Sequence, residues 1–329
     1  MSRAEAVYFT EFGGPEVLRV GPWPEQPLGE HDVRIRVSAF ALNRADLMYL
    51  AGEHYTIPVF PSRIGSEACG VVAETGSGVT AFAPGDRVTA IPFFTRNGVQ
   101  GATAVVPDDY VTAVPGELDD HEATAIWMQY LTPYFAFKEV CDLGEGDAVL
   151  ITAASSSAGL GALQLCRELG VAAVATTRSP AKAEILRESG ATAVVVGDAG
   201  LARAISRASE GKGLRAAFDP LGGDSLARYV DHLAPGATVF GYGTLTDRQP
   251  VVPAAAMCRA RAVFHPYSMF NHVSDPGQRA RGTALVGEAI RSGRLRPRVD
   301  RVFDFGHVTD AYRYLRSGSQ AGKIVVTAP

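Results

Sequence analysis

The chain has 329 residues, of which 47% are hydrophobic and 20% charged, and its formal net charge is -4. This length exceeds one typical hydrophobic core and predicts two domains. The slightly acidic balance gives no reason to expect a nucleic-acid partner, which usually requires a basic patch. No apolar run approaches the roughly 20 residues that span a bilayer, so no membrane association is expected.

The four cysteines, Cys69, Cys141, Cys166 and Cys258, lie far apart and form no C-x-x-C pair. Such spacing argues against a disulfide framework and against a structural zinc, and it favours a location in the reducing cytoplasm.

Short β-type runs separated by glycine and proline fill the first 120 residues. They read "VLRV" (17–20), "DVRIRVSAFAL" (32–42), "CGVVAETG" (69–76), "DRVTAI" (86–91) and "DYVTAVP" (109–115). Turn residues at this spacing are typical of a twisted antiparallel or barrel-like domain.

Strands and helices alternate regularly between about 121 and 265. The pattern predicts strands at 148–152, 171–176, 193–196, 215–219 and 237–241, and helices at 121–139, 159–169, 180–188, 199–208 and 224–233. Such alternation is typical of a parallel, doubly wound sheet.

The remaining chain predicts a helix at 282–293, a β-type run at 299–305, a helix at 309–316 and a last strand at 323–329. We interpret this tail as returning to the first domain. The prediction is an α/β protein in which residues 123–267 form a nucleotide-binding domain inserted into a domain of residues 1–122 plus 268–329.

The stretch from Ile151 to Leu165, "ITAASSSAGLGALQL", joins a predicted strand to a predicted helix. Glycines at such a turn allow close approach of a pyrophosphate, and the helix N-terminus favours its charge. Alone, the motif equally fits a plain small-residue turn. Because it follows the first strand of the alternating block, it predicts a dinucleotide site. The candidate cradle comprises Ser155, Ser156, Ser157, Ala158, Gly159, Leu160 and Gly161.

The end of the second predicted strand bears on which dinucleotide is bound. NAD sites commonly carry an acidic residue there for the ribose 2′-OH. This chain instead reads "TTRSPAK", with Thr177, Arg178 and Lys182 and no acid. Cationic side chains can hold a 2′-phosphate, so the sequence predicts NADPH. The alternative is that Arg178 and Lys182 are ordinary solvated charges.

Six stretches together resemble the medium-chain dehydrogenase/reductase superfamily, in its quinone oxidoreductase and enoyl reductase branch. They are "ALNRADLMYLAGEHY" (41–55), "PSRIGSEACGVVAETGSGV" (61–79), "APGDRV" (83–88), "QYLTPYFA" (129–136), "GDAVLITAASSSAGLGALQL" (146–165) and "AGKIVV" (321–326). The resemblance covers the chain from end to end. It implies a GroES-like β-barrel catalytic domain with an inserted Rossmann domain, in agreement with the pattern above.

The chain departs from the zinc-using relatives at their metal positions. Where those enzymes place zinc ligands, this sequence has Asn43 and Ser66, and residues 91–107 lack the clustered cysteines of a structural zinc lobe. Zinc requires three or four N, S or O ligands. We therefore predict no metal.

Without a Lewis acid, hydride addition to a conjugated alkene is easier than carbonyl reduction, because ordinary hydrogen bonds can stabilise the delocalised charge. The expected reaction is hydride transfer from NADPH to an enone, a quinone or an enoyl thioester. The resemblance implies that Asn43 and Thr132 lie near the nicotinamide, and Asn43 as a plain turn residue is the alternative. Further implied or candidate cofactor contacts are Tyr130, Phe240, Gly241, Tyr242, the His265–Tyr267 loop and Lys323.

The proton donor implied by the resemblance is Tyr55. His54 and water are the alternatives, and Asp46 is expected to orient the Asn43 loop. Phe93, Phe94 and Phe270 are candidates for an apolar substrate wall.

Other classes of function stay open. The enzyme alternative is an enoyl-thioester reductase of fatty-acid or polyketide assembly, and the non-enzyme alternative is an NADPH-binding sensor or structural protein.

We also expect a homodimer that forms through an edge strand in or after "AVFHPYSMF" (262–270). Inward packing of Val263, Phe264 and Tyr267 is the alternative.

Overall fold

The computed structural model describes residues 3–93 and 98–329. Residues up to 123 form strands β1 (Arg3–Phe9), β2 (Arg19–Pro24) and β3 (Asp32–Leu42), helix α1 (Arg44–Ala51), strands β4 (Ser62–Arg63), β5 (Glu67–Thr75), β6 (Arg87–Ala90), β7 (Thr103–Pro107) and β8 (Val111–Ala113), and helix α2 (Asp120–Ala123).

The middle of the chain alternates between helices and strands, as predicted. In order these are α3 (Trp127–Tyr134), β9 (Ala148–Ile151), α4 (Ser157–Leu169), β10 (Ala172–Thr177), α5 (Ala183–Glu188), β11 (Ala193–Val196), α6 (Leu201–Ala208), β12 (Leu214–Asp219), β13 (Leu233–Gly241), α7 (Ala254–Ala260), β14 (Val263–Pro266), α8 (Phe270–Val273) and α9 (Pro276–Arg291). The C-terminal part adds β15 (Val299–Asp304), α10 (Val308–Ser317) and β16 (Lys323–Thr327).

Two predicted helices take another form. The helix expected at 121–139 is divided into α2, α3 and a π-helical stretch, Phe135–Val140, and α3 contains Pro133, which cannot donate an N–H to the helix. The helix expected at 224–233 is a pair of 3-10 turns, Ser225–Arg228 and Val230–His232.

The chain divides into two compact units, Met1–Met128 with Gly287–Pro329, and Gln129–Val286. Both boundaries fall later than the predicted 122/123 and 267/268. Met128 contacts the first unit, where its N–H donates to Glu67 Oε1 at 2.6 Å. The start of α9 contacts the second unit, where Arg281 Nη2 lies 2.6 Å from Glu139 Oε2 in an ion pair.

The first unit contains two mainly antiparallel sheets. One has the order β2-β1-β4, and the other has the order β15-β16-β3-β5-β6-β8, with β7 paired to β3. The long strand β3 pairs along its length with β5 and β7, and near its C-terminal end with β16. Its core side chains, such as Ile35 and Phe40, are fully buried. This agrees with the predicted barrel-like domain.

The second unit is built on one six-stranded parallel sheet with the order β11-β10-β9-β12-β13-β14. Numbered along the unit, this is 3-2-1-4-5-6, the order of a Rossmann fold. The chain switches direction between β9 and β12, and ligands bind such sheets at the carboxyl ends of the strands beside that switch point. The predicted doubly wound sheet is confirmed.

Candidate functional site

The predicted phosphate cradle is the turn after β9. All of β9 is buried, and the chain leaves it through Ala153, which has a left-handed φ of +46°. Ser156 caps α4, since its hydroxyl accepts from the Gly159 N–H at 3.1 Å and its carbonyl accepts from the Leu160 N–H at 2.8 Å. The other N–H groups of the first turn have no acceptor within the helix, so this end favours an anion.

Gly159 and Gly161 allow the close packing that the cradle needs. A Cβ on Gly161 would lie 2.2 Å from the Gln129 carbonyl oxygen, and one on Gly159 would lie 2.6 Å from that of Ala154. No larger residue fits without a backbone shift. Among the other cradle residues, Leu160 points its side chain into the core, whereas Ser155, Ser156, Ser157 and Ala158 are half-buried.

Sequence reasoning missed a carboxylate at the switch point. Asp219, the last residue of β12, is buried and accepts hydrogen bonds from Thr152 Oγ1 at 2.6 Å, from the Leu221 N–H at 2.9 Å and from the Tyr229 hydroxyl at 2.7 Å. These bonds tie the ends of β9 and β12 together beside the cradle. The only signal in the sequence was an acidic residue ending a predicted strand.

Tyr242 follows β13 and stacks on Phe218, with ring centroids 3.9 Å apart and planes at 20°. Burial raises the pKa of its hydroxyl, and Ser156 lies close enough to lower that pKa partly. Within the described ranges, however, the buried Tyr242 hydroxyl has no hydrogen-bond partner. An orphaned hydroxyl beside a phosphate cradle is an observation that a dinucleotide would explain.

The other predicted residues at this end of the sheet differ in accessibility. Phe240 is fully buried, with its ring against His265 and Tyr267, so only its backbone could meet a ligand. Gly241 is half-buried.

The end of β10 carries the residues predicted to select the cofactor. Thr177 is buried and its hydroxyl accepts from the Ser179 N–H at 3.1 Å, which shapes the turn. Arg178 is exposed on this turn, and Lys182 is half-buried. The described turn from 177 to 182 holds no carboxylate that would repel a 2′-phosphate.

Tyr130 and Thr132 lie in α3. Tyr130 is fully buried, and its hydroxyl already donates to Gln164 Oε1 at 2.9 Å, so it contributes packing and no accessible hydroxyl. The Thr132 carbonyl accepts from the Tyr267 hydroxyl at 2.6 Å, and the Thr132 hydroxyl contacts Met269 Sδ at 3.3 Å. These contacts hold Thr132 in place, whereas burial of Tyr130 argues against the predicted cofactor contact, which no observation tests directly.

The first unit brings Asn43, Glu67 and Lys323 together in a buried cluster. The Lys323 ammonium donates to Asn43 Oδ1 and to Glu67 Oε2, the latter at 2.5 Å, and Asn43 Nδ2 donates to the same Glu67 oxygen at 3.0 Å. The side chains of Lys323 and Glu67 are each 1% exposed. The predicted contact of Lys323 with the cofactor stays a prediction, and its ammonium is already engaged in orienting Asn43.

Asp46 connects this cluster to helix α10. Its carboxylate accepts from the Asn43 N–H at 2.8 Å and from the Tyr312 hydroxyl at 3.1 Å, so it orients the Asn43 loop as expected. Burial raises the pKa of Asp46 to about 7, against the opposing effects of the Asn43 N–H and Lys323.

His54 and Tyr55, the candidate proton donors, follow α1. Their rings are 4.0 Å apart, and the Thr56 N–H donates to His54 Nδ1 at 3.1 Å. Burial lowers the pKa of His54, whereas Tyr55 is 56% exposed.

The proposed apolar wall is not supported by side-chain placement. Phe93 and Phe270 are buried within their own units, and Phe94 lies outside the described residues.

The described parts of the chain contain no group of three or more His, Cys, Asp or Glu side chains that could hold a metal ion. Ser66 is buried beside Glu67. No described helix is both long enough and apolar enough to cross a membrane.

Comparison with known families matches both parts of the chain. The alcohol dehydrogenase GroES-like domain matches residues 29–117, and a model described as zinc-binding dehydrogenase matches residues 189–326.

Similar proteins extend over the whole length. A quinone oxidoreductase of Pseudomonas aeruginosa is 27% identical over 98% of this chain and 99% of its own. The human synaptic vesicle membrane protein VAT-1 homolog is 30% identical over 96% of this chain and 84% of its own. Mycoketide-CoA synthase of Mycobacterium tuberculosis is 30% identical over 95% of this chain and 7% of its own.

Among solved structures, a mycobacterial protein in complex with NADPH is 25% identical, covers 99% of this chain with 100% of its own, and superposes with a TM-score of 0.90. The chain therefore belongs to the medium-chain dehydrogenase/reductase superfamily, in its quinone oxidoreductase and enoyl reductase branch. The predicted combination of a GroES-like domain and a Rossmann domain is confirmed.

Proposed function

We propose that the protein is an NADPH-dependent reductase that delivers hydride to a quinone or to the β-carbon of an α,β-unsaturated carbonyl compound without a metal ion. The oxidoreductase class follows from the family, and NADPH is the cofactor named for the mycobacterial neighbour. The observation that carries the proposal is the glycine-lined cradle at the switch point, together with a second strand, β10, that is followed by Arg178 and not by an acid.

The residues of the second unit fit the cofactor. The capped N-terminus of α4 would hold the pyrophosphate, the Tyr242 hydroxyl would gain a partner, and Arg178 with Lys182 would neutralise the 2′-phosphate. When bound, NADPH supplies the hydride, and the protein provides orientation and shielding.

Metal-free chemistry is supported by the buried cluster of the first unit. Asn43 stands where zinc-using relatives have a ligand, and its carbonyl oxygen binds the Lys323 ammonium. Zinc would therefore have to displace a buried cation that is already paired with Glu67. The substrate carbonyl oxygen would instead be stabilised by ordinary hydrogen-bond donors, which suffice for a conjugated acceptor.

The balanced reaction requires a proton in addition to the hydride. The hydride forms a C–H bond at the β-carbon, the electron pair of the alkene shifts toward the carbonyl, and a proton completes the α-carbon. Tyr55 is our proposed donor, and its exposure allows it to be reprotonated from water. His54 is the second candidate, because its ring lies 4.0 Å from that of Tyr55. Burial lowers the pKa of His54 and so disfavours the imidazolium form that would donate a proton, which ranks it below Tyr55.

An acyl-thioester acceptor is the alternative substrate class. The match to a segment of mycoketide-CoA synthase, which covers nearly this whole chain, favours it. The two classes differ in the group attached to the carbonyl carbon, so matched acceptors distinguish them.

The test is a turnover assay on purified protein with NADPH, a chelator and three acceptor sets: quinones, free enones and the corresponding enoyl thioesters. We expect chelator-insensitive NADPH oxidation and no stoichiometric zinc by elemental analysis. Oxidation of simple alcohols with one zinc per chain would refute the metal-free assignment. Tight NADPH binding with no turnover in any set would instead favour a sensor or structural protein.

The NADPH preference has its own test. Arg178→Ala with Lys182→Ala removes two charge-assisted contacts, each worth about 1.5–3 kcal/mol. NADPH affinity should fall at least a hundredfold while NADH affinity changes little. Arg203→Ala with Arg207→Ala, on the exposed face of α6, is the matched control for loss of positive charge. An unchanged ratio of NADPH affinity to NADH affinity in the Arg178→Ala, Lys182→Ala variant would refute the assignment of these two residues to the 2′-phosphate.

Homodimerisation through β14 is part of the proposal. This strand ends the six-stranded sheet, and Val263 at its start is 54% exposed, whereas Phe264 packs on the core and Tyr267 is buried. One residue of the predicted trio therefore points outward and the other two inward. An unpaired edge with an exposed apolar residue supports pairing with a second copy.

A further inference from the structure

The segment after α1 turns its apolar side chains outward. Positions 53, 55, 57 and 59 are exposed, whereas 54 and 56 are half-buried and 58 is buried. Tyr55, Ile57 and Val59 are 56%, 60% and 59% exposed. Three exposed apolar side chains thus lie within five consecutive residues of a segment that bends at 54–56 and forms no strand.

Two aromatic rings enlarge this surface. Phe60 is 38% exposed and Phe12 is 46% exposed, and their rings meet edge-to-face with centroids 4.9 Å apart. We call the side chains of Phe12, Tyr55, Ile57, Val59 and Phe60 the apolar patch. The segment 53–62 contains no lysine or arginine, and Glu53 is its only acidic residue.

This arrangement is costly in water. The polar side chain of Thr56 is half-buried while its two apolar neighbours, Tyr55 and Ile57, are exposed. The fold therefore leaves apolar surface of this segment available to a ligand.

The size and charge of the patch restrict the occupant. Five side chains exposed to this degree present on the order of 500 Å² of accessible apolar surface. This is less than the roughly 800 Å² that each partner contributes to a standard protein interface. Surfaces that attach to anionic membranes usually also carry lysine or arginine side chains, and this segment has none.

We propose that the apolar patch binds the hydrocarbon chain of the substrate, so that the enzyme prefers quinones or enones carrying an alkyl or prenyl tail. The inference rests on the proposed function and specifies its substrate class. Tyr55, our proposed proton donor, belongs to the patch, and Val59 follows it four residues later in the chain. Four residues span at most about 13 Å, the length of a tail of roughly eight to ten carbons.

The test measures kcat/KM along two homologous series, 2-alkyl-1,4-benzoquinones from methyl to decyl and linear alkenones of matching lengths. Each methylene that becomes fully buried should raise kcat/KM about fourfold, and each methylene that lies on an open apolar surface should raise it roughly twofold. The decyl tail has nine more methylenes than the methyl group, so we expect the decyl compound to exceed the methyl compound in kcat/KM by on the order of 500-fold in the natural protein. Ile57→Ser with Val59→Ser should reduce that ratio to within about fivefold.

The matched control is Val20→Ser with Val302→Ser. These valines are 40% and 42% exposed in strands β2 and β15, outside the patch, and their variant should keep the full ratio of decyl to methyl kcat/KM.

Normal turnover of short acceptors with no dependence on tail length would overturn the patch proposal and leave the proposed function intact. So would a length dependence that survives the patch substitutions. Binding to uncharged phosphatidylcholine vesicles that is lost in the patch variant, without a change in the ratio, would identify a membrane contact instead. No turnover in either series would refute the proposed function and the patch proposal with it.

Discussion

Replacing Glu67 by Gln tests the energetics of the buried cluster. The substitution preserves the shape of the side chain and its acceptor for the Met128 N–H but removes the charge opposite Lys323. The Lys323 ammonium, 1% exposed and bound to Glu67 Oε2 at 2.5 Å, would then keep Asn43 as its one hydrogen-bond acceptor among the described residues. Breaking a buried ion pair from one side typically costs about 3–5 kcal/mol, because the other charge stays buried without compensation.

The two tryptophans provide a probe specific to one unit. Trp23 and Trp127 both belong to the first unit, as do Glu67 and Lys323, so tryptophan fluorescence during denaturant unfolding follows the affected unit. A loss of about 3–5 kcal/mol is roughly a fifth or more of the stability of an ordinary domain, and it should shift the fluorescence midpoint clearly.

A double-mutant cycle separates charge from shape. Lys323→Met alone leaves Glu67 unpaired and should cost a similar amount, whereas the double variant removes both charges and should recover most of the loss. Asp310→Asn, in an exposed pair with Arg313, is the control and should change stability by less than about 0.5 kcal/mol. Additive losses, or a Glu67→Gln cost below about 1 kcal/mol, would refute the reasoning.

Three further predictions concern other parts of the molecule. Burial raises the pKa of Asp46 to about 7, so the folded state holds an extra proton above pH ~4 and this group's contribution to stability is lost as the pH rises to about 7. Asp46→Asn should flatten that dependence, which is on the order of 4 kcal/mol. Gly161→Ala places a Cβ 2.2 Å from the Gln129 carbonyl oxygen and should lower the unfolding free energy by about 1–3 kcal/mol and weaken NADPH binding. A variant of unchanged stability would show that the turn adapts. Val263→Glu should convert the expected dimer into a monomer in light scattering; a monomeric natural protein, or a dimer that survives the substitution, would contradict pairing through β14.

The sequence predicts the second unit well because its signals are local. Each parallel strand is a short apolar run, each is followed by a helix-forming stretch, and the turn after β9 has small residues where a close approach is needed. The predicted strand at 193–196 coincides with Ala193–Val196, and the helix at 159–169 begins only two residues early in the structure, at Ser157.

Predictions that depended on side-chain direction were less successful. Tyr130, Phe93 and Phe270 were expected to line a ligand pocket, yet all three are buried within their units. Composition does not distinguish an aromatic ring that lines a pocket from one that packs in a core, because both surroundings are apolar. Asp219 shows the reverse error, since a carboxylate that ends a buried strand was not recognised as part of the switch point.

The contact between Glu67 and Lys323 shows what a topology adds to a sequence. The two residues lie 256 positions apart, and each is the first residue of its strand, Glu67 of β5 and Lys323 of β16, directly before small or apolar residues. In the sheet both strands are neighbours of β3: Ala41 pairs with Glu67, and Leu42 pairs with Ile324, the residue after Lys323. The opposite charges therefore reach the same end of β3, where Asn43 is the next residue. A charged residue at the start of a strand usually lies exposed at the end of a sheet. Glu67 and Lys323 form a buried cluster around Asn43 because both of their strands pair with β3.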